Sequence, residues 1–369
     1  MSTPVRIGQL IRERKIIVCC GAGGVGKTTT AAAISLAAAR AGRKVLVLTI
    51  DPSRRLAETL GVSRNPPSPV RVPEDRQQAA GIKAPGSLDA WMLDPKLVAD
   101  SAVRRLSKSD EDAQRILGNR IYQQVSTMVA GMHEYTAMEA LFRLVNEGRY
   151  DLVVLDTPPS RHALDFLEAP HRLSGLVDSR AIAAFLPSGD SLVARAASKV
   201  IQKILGAVFG DEFAGEFVTF LSTFTGIFRS LSVNVGEMRR FLSGPDVAFL
   251  LVSSPAPATL TEAFFFQDKT KALELPFRGF VLNRSKANVL ERTMPPSRDE
   301  ADPVLSAGLT KLHQLAELEQ HAAARDLALL EDLKKRAGDS ATALALPELP
   351  QGADDIGTLV AVADRLAAS

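Results

Sequence analysis

The sequence predicts an α/β protein: a mainly parallel central sheet flanked by helices, with a helical insertion in its second half. Three observations carry this. Residues 15–20 (KIIVCC), 44–50 (KVLVLTI) and 151–156 (DLVVLD) are short runs, apolar almost throughout, as strands buried on both faces of a parallel sheet are. Between the first two lies an alanine-rich stretch, 27–40, of helical composition. Strand, loop, helix and strand in that order close as a right-handed βαβ unit. Finally, residues 178–243 carry helical periodicity with no strand candidate.

In chain order, the N-terminal MSTPVRIGQLIRERKII has charges interrupting its apolar residues and no signal-type core. After the βαβ unit, residues 62–87 are rich in Pro, Gly and Gln without periodicity, and read as a surface loop. SLDAWMLDP then resembles a short strand, followed by helices across 95–148. Sheet character returns in DVAFLLVSSP and FRGFVLNR. Residues 304–337 are helical and charged, TALALPELP supplies a last strand, and DDIGTLVAVADRLAA an amphipathic closing helix.

Composition narrows the function classes. The 369 residues include 44 Lys and Arg against 42 Asp and Glu, a formal net charge of +2. That gives no global drive toward nucleic acid or an anionic membrane. No uninterrupted apolar run approaches the roughly 20 residues of a membrane-spanning helix. The most hydrophobic region, FVTFLSTFTGIFRSL, is broken by Arg229 and reads as a buried or client-facing helix. Cys19 and Cys20 are the only cysteines. Neighbours on a strand point to opposite faces, so they are poor disulfide partners, and no CxxC pair exists to hold zinc. A reducing, cytoplasmic compartment is expected.

Residues 21–28, GAGGVGKT, fit G-x-x-x-x-G-K-[ST] with a strand before and a helix after. This predicts a P-loop NTPase fold. Its nucleotide-binding residues are Gly21, Ala22, Gly23, Gly24, Val25, Gly26, Lys27, Thr28 and Thr29. The glycines let successive N–H groups face phosphate oxygens, and the helix N-terminus adds partial positive charge there. Lys27 reaches the β- and γ-phosphates, with a catalytic role, and the Thr28 hydroxyl is a magnesium ligand. Asp156, ending its apolar run, suits the same Mg2+. Asp51 ends the next strand. Its carboxylate either orients the attacking water and touches magnesium, or caps a helix that begins at Pro52. ATP and Mg2+ are the expected cofactors. The P-loop domain is expected in two parts, 1–177 and 244–369, around the 178–243 insertion.

Four stretches together resemble the arsenite-pump-driving (ArsA-type) ATPases and their relatives that target tail-anchored membrane proteins. They are GAGGVGKTTTAAAISLAAARAGRKVLVLTIDPSRRLAETLG, GMHEYTAMEALFRL, YDLVVLDTPPSRHALDFL and FVLNR, in the family's order. The resemblance implies an ATPase that dimerises face to face over nucleotide, as a homodimer or with a paralogous ATPase. It places Asp51 in switch I, polarising the hydrolytic water, and Asp156 at the start of switch II, where His162 also matches. Asn283 is similar to the asparagine that recognises adenine, although it could equally be a turn residue ending a strand. In the targeting branch, helical insertions form an apolar groove for a client's membrane helix. Residues 204–242 therefore either handle a hydrophobic client or membrane partner, or cover the sheet as ordinary core helices.

Two departures from the pattern bear on catalysis. Family members usually carry lysine at the second loop position, reaching the partner's nucleotide, and here it is Ala22. Another basic residue (Arg54, Arg55 or Arg161), a lysine from a paralogous partner, or weak hydrolysis would each account for this. Switch II reads Ser160–Arg161 in place of Thr–Gly. The two cysteines argue against an arsenite site, which needs several converging thiolates. A regulatory subunit with weak intrinsic hydrolysis is the alternative function. A nucleic-acid role like that of ParA-type relatives ranks below both, for want of a basic terminal patch.

Overall fold

A computed structural model describes residues 6–50, 54–63, 66–107, 109–120, 122–123, 132–158, 240–287, 303–349 and 355–369, with 207, 210, 214–217 and 237 besides. The elements, labelled in chain order, begin with α1 (Ile7–Glu13), β1 (Ile16–Cys20), α2 (Lys27–Arg40), β2 (Lys44–Thr49) and α3 (Arg54–Leu60). Then come β3 (Val70–Arg71), α4 (Glu74–Ala79), β4 (Ser87–Met92), α5 (Pro95–Leu106), α6 (Asp110–Gly118), α7 (Met132–Asn146) and β5 (Leu152–Asp156). The last are β6 (Val247–Ser253), α8 (Pro257–Ala272), β7 (Phe277–Ser285), α9 (Pro303–Ala337), β8 (Thr342–Pro347) and α10 (Ile356–Ala368).

The strands form one eight-stranded sheet in the order β3-β4-β2-β5-β1-β6-β7-β8. Every neighbouring pair is parallel except the short β3 on β4. The predicted α/β class with a mainly parallel sheet is what the molecule has. β1, β5 and β6 lie at its centre and are buried at every position, which is why their sequences show no alternation. Alternate residues feed two cores. Ile16, Val18 and Cys20 join the layer under α7, α8 and α9, whereas Ile17 and Cys19 join the layer under α1, α2 and α10. Cys19 and Cys20 thus lie on opposite faces of the sheet, both as free thiols.

One segment differs from expectation. Residues 62–87 are not simply a surface loop: they supply β3 and α4 at the sheet edge. Buried Gln77 donates through Nε2 to the Val72 carbonyl at 2.7 Å and accepts from the Leu88 amide at 3.1 Å, and Trp91 Nε1 donates to the Pro66 carbonyl at 2.9 Å. Side-chain-to-backbone bonds, not hydrophobic periodicity, hold this tract, so the pattern leaves no trace of it. At the N-terminus, α1 buries Ile7, Leu10 and Ile11, one face of a helix, and its charges occupy the other. The insertion expected at 178–243 lies outside the described residues, apart from 207, 210, 214–217, 237 and 240–243. Among the described residues no helix is long and apolar enough to cross a membrane.

Candidate functional site

The glycine loop runs from the C-terminal end of β1 into α2, on the side of the sheet where the neighbouring parallel strands β5 and β6, and β2 beyond β5, also end. Parallel sheets place ligands outside these carboxyl ends. Its shape is set by residues that point both ways. Ala22 and Val25 are buried in the core beneath α2, and they anchor the loop from below. Gly23 and Gly24 are exposed, and a Cβ on either would meet nothing within 4 Å. Gly21 and Gly26 are the reverse: a Cβ on Gly21 would overlap the Val252 carbonyl oxygen, and one on Gly26 the Asn283 amide nitrogen. Gly26 also holds φ +92° as the N-cap of α2, a conformation that favours glycine.

Lys27 opens α2 and is only 7% exposed, and its Nζ donates to the Ala22 carbonyl at 2.8 Å. One residue on, Thr28 Oγ1 donates to Asp156 Oδ2 at 2.6 Å. The same carboxylate oxygen accepts from Thr49 Oγ1 at 3.0 Å. Asp156 ends β5, beside β1, and is buried. Thr157 next to it donates through Oγ1 and backbone N to the Cys19 carbonyl, at 2.9 and 3.2 Å, pinning the chain as it leaves the strand. Thr29 is half-buried in the first turn of α2. Asn283, near the end of β7, donates through Nδ2 to the Val25 carbonyl at 2.9 Å. The structure therefore brings Lys27, Thr28, Asp156 and Asn283 around one loop. Asp51, His162, Ser160 and Arg161 lie outside the described residues, as do the side chains of Arg54 and Arg55.

The arrangement fits the groups the motif implies. The open side over Gly23 and Gly24 leaves room for phosphate oxygens against the loop backbone and the start of α2. Thr28 and Asp156 offer two hard oxygen donors in contact, the ligand type magnesium takes. The neighbouring thiols are not ligands of this kind. Burial pushes Cys20 up to about 12. Burial, with Asp156 adding to it, raises Cys19 as well. Both stay protonated at neutral pH. Sequence reasoning missed Thr49 and Thr157. The signal was a hydroxyl closing each apolar run, in LTID and LDTPP.

Residues 14–192 match the family model described as anion-transporting ATPase. Among curated proteins, an uncharacterized protein of Streptomyces coelicolor is 29% identical over 356 residues, 96% of this chain and 80% of that protein. ATPase GET3 of Malassezia globosa is 28% identical over 181 residues, 49% of this chain and 48% of its own length. A protein of Aquifex aeolicus named as an arsenical pump-driving ATPase is 28% identical over 159 residues, 42% of this chain and 38% of its own. The chain thus spans less than half the length of these two relatives named as ATPases. The matched region holds the glycine loop, Lys27, Thr28, Thr49 and Asp156, and by that match and these likenesses residues 14–192 carry the ArsA-type, anion-transporting ATPase domain.

Proposed function

We propose that this chain binds ATP with magnesium and hydrolyses it, acting as a dimeric switch in the cytoplasm that couples nucleotide state to a hydrophobic client or membrane partner. The observation that carries the nucleotide reading is the 2.6 Å contact of the Thr28 hydroxyl with the Asp156 carboxylate, one residue from Lys27 at the mouth of the glycine loop. Loop N–H groups and the α2 N-terminus bind the phosphate oxygens. Lys27, which donates to the Ala22 carbonyl, would instead meet the β- and γ-phosphates, and Thr28 and Asp156 would hold the metal. When bound, magnesium supplies positive charge against the phosphate oxygens. Thr49 keeps the Asp156 carboxylate oriented through its hydroxyl. Asp51 orients the attacking water, and Asn283, already at the loop, reads the adenine edge with its remaining donor and acceptor capacity. Calorimetric titration of ATP and magnesium into the wild type and Lys27→Ala tests this. Loss of most binding in the variant is expected, and equal affinities would end the reading.

A second reading is favoured by one observation. The Ala22 side chain is 4% exposed and packed in the core, so this position delivers no charge to a neighbouring subunit's phosphates. In this reading the chain is the nucleotide-binding regulatory member of a heterodimer with a paralogous ATPase, and its own hydrolysis is weak. Tight ATP binding with turnover that stays slow at every protein concentration supports it. Turnover that rises with the concentration of this chain alone favours the homodimeric switch.

A further inference from the structure

The segment after Leu282 of β7 is distorted in two ways at once. Arg284 holds φ +56°, which a side chain other than glycine rarely adopts. The register of β7 against β8 slips between Leu282 and Ser285, and irregularities of this kind recur beside functional sites, where they re-aim a side chain. Asn283, the residue so re-aimed, bonds the Val25 carbonyl of the glycine loop. A conformation like that of Arg284 persists only where its surroundings over-determine it.

On one side the restraint is the Asn283 bond. On the other it comes from α9. Asp326 of that helix is 1% exposed. Its Oδ2 accepts from the Lys286 amide at 2.8 Å and lies 3.4 Å from the Ser285 hydroxyl, which itself accepts from the Ala287 amide at 3.1 Å. Lys286 Nζ also meets Glu319 of α9 at 3.6 Å. Asp326 Oδ1 takes the exposed Arg325 guanidinium at 3.2 Å. A buried carboxylate is tolerated where it is paired and hydrogen-bonded, and Asp326 meets that condition by giving one oxygen to Arg325 and the other to the turn at 285–287.

We propose that Asp326 is a positioning residue for the nucleotide site: it clamps the turn at 285–287 so that Asn283 stays bonded to Val25, and it thereby couples α9 to the glycine loop. The inference rests on the nucleotide-binding reading for its consequence, though not for the coupling itself. Breaking the clamp lets Arg284 relax, withdraws Asn283 and loosens the loop that is to receive phosphate.

Two measurements on the full chain test it. In nucleotide-free protein, Asp326→Ala should speed hydrogen exchange of the loop peptide covering 21–28. In calorimetry it should weaken ATP binding by about 10-fold, the scale of a lost charge-assisted hydrogen bond. Adding Arg284→Gly should restore ATP binding to within about 3-fold of wild type, because glycine adopts positive φ without steric cost. A role confined to packing would lower the melting temperature without that rescue. Loop exchange and ATP affinity both within about 2-fold of wild type would overturn the proposal while leaving the nucleotide reading intact. Wild-type protein that binds no ATP, with loop exchange still responding to Asp326→Ala, would sink the nucleotide reading and uphold the coupling. Should Asp326→Ala not fold, Asp326→Asn retains the volume and one acceptor. It should show the same faster exchange with a loss of about 3-fold, and no change in either measurement overturns the proposal.

Discussion

Gly24 and Gly26 belong to one loop and both hold positive φ, +73° and +92°, yet alanine should act on them through different physics. At Gly26 the added methyl meets the Asn283 amide nitrogen. The backbone strain costs about 1–2 kcal/mol. Displacing Asn283 from the Val25 carbonyl adds about 1 kcal/mol, and the sum is about 2–3 kcal/mol. At Gly24 nothing lies within 4 Å of the new Cβ, so only the backbone term of about 1–2 kcal/mol remains. With roughly 2 °C of melting temperature per kcal/mol in a chain of this size, Gly26→Ala should melt roughly 4–6 °C below wild type, and Gly24→Ala roughly 2–4 °C below. ATP binding should separate them again. The Gly24 methyl projects into the open side of the loop and should cost binding well beyond its modest effect on stability. Scanning calorimetry beside ATP titration reads both quantities. Gly26→Ala melting at or above Gly24→Ala would refute the contact with Asn283 as the limiting one. Unchanged ATP affinity in Gly24→Ala would show that phosphate does not sit over Gly23 and Gly24.

Asp51→Asn should retain ATP and slow its hydrolysis by about 10²-fold or more, as removal of a general-base-type carboxylate does; unaltered turnover with earlier melting would assign Asp51 to capping a helix. The buried thiols predict a pH dependence with a definite sign. Cys20 is raised from 9.0 to about 12 in the folded chain, so the unfolded chain loses this proton first. The associated stability is fully present below about pH 9 and declines as pH rises toward 12, by about 1.4 kcal/mol per pH unit for one thiol. Denaturant unfolding at pH 8 and pH 10 should show a shallower decline in Cys20→Ala than in wild type, and equal declines would rule the thiol out as the source.

The central sheet was legible because a parallel strand buried on both faces must be apolar at nearly every position, and β1, β2, β5 and β6 are. The glycine loop was legible for a related reason: its chemistry is local, eight consecutive residues between a strand and a helix. What escaped notice depends on partners distant in sequence. Thr49 meets Asp156 across 107 positions, and the bond that ties Asn283, itself legible as a candidate, to Val25 spans 258. Gln77 satisfies backbone groups of Val72 and Leu88 that no periodicity announces. In each case a polar side chain completes a backbone or carboxylate elsewhere, and neither residue alone carries the pattern.

Ala22 shows how such distant packing changes the meaning of a motif position. In the resemblance, the second loop residue is an outward-reaching lysine, and its absence reads as a lost charge. In the fold, the Ala22 methyl faces the core beside Val25, and its carbonyl receives Lys27. The position thus serves the loop from beneath. A lysine stem there, starting from a Cβ that is buried, would reach solvent only by lifting the loop off its anchor and moving the carbonyl that holds Lys27. Restoring charge at residue 22 therefore acts on this chain's own phosphate cradle before it can act on a neighbour's. In the dimer proposed above, charge for a partner's nucleotide would have to come from elsewhere in the chain or from another subunit.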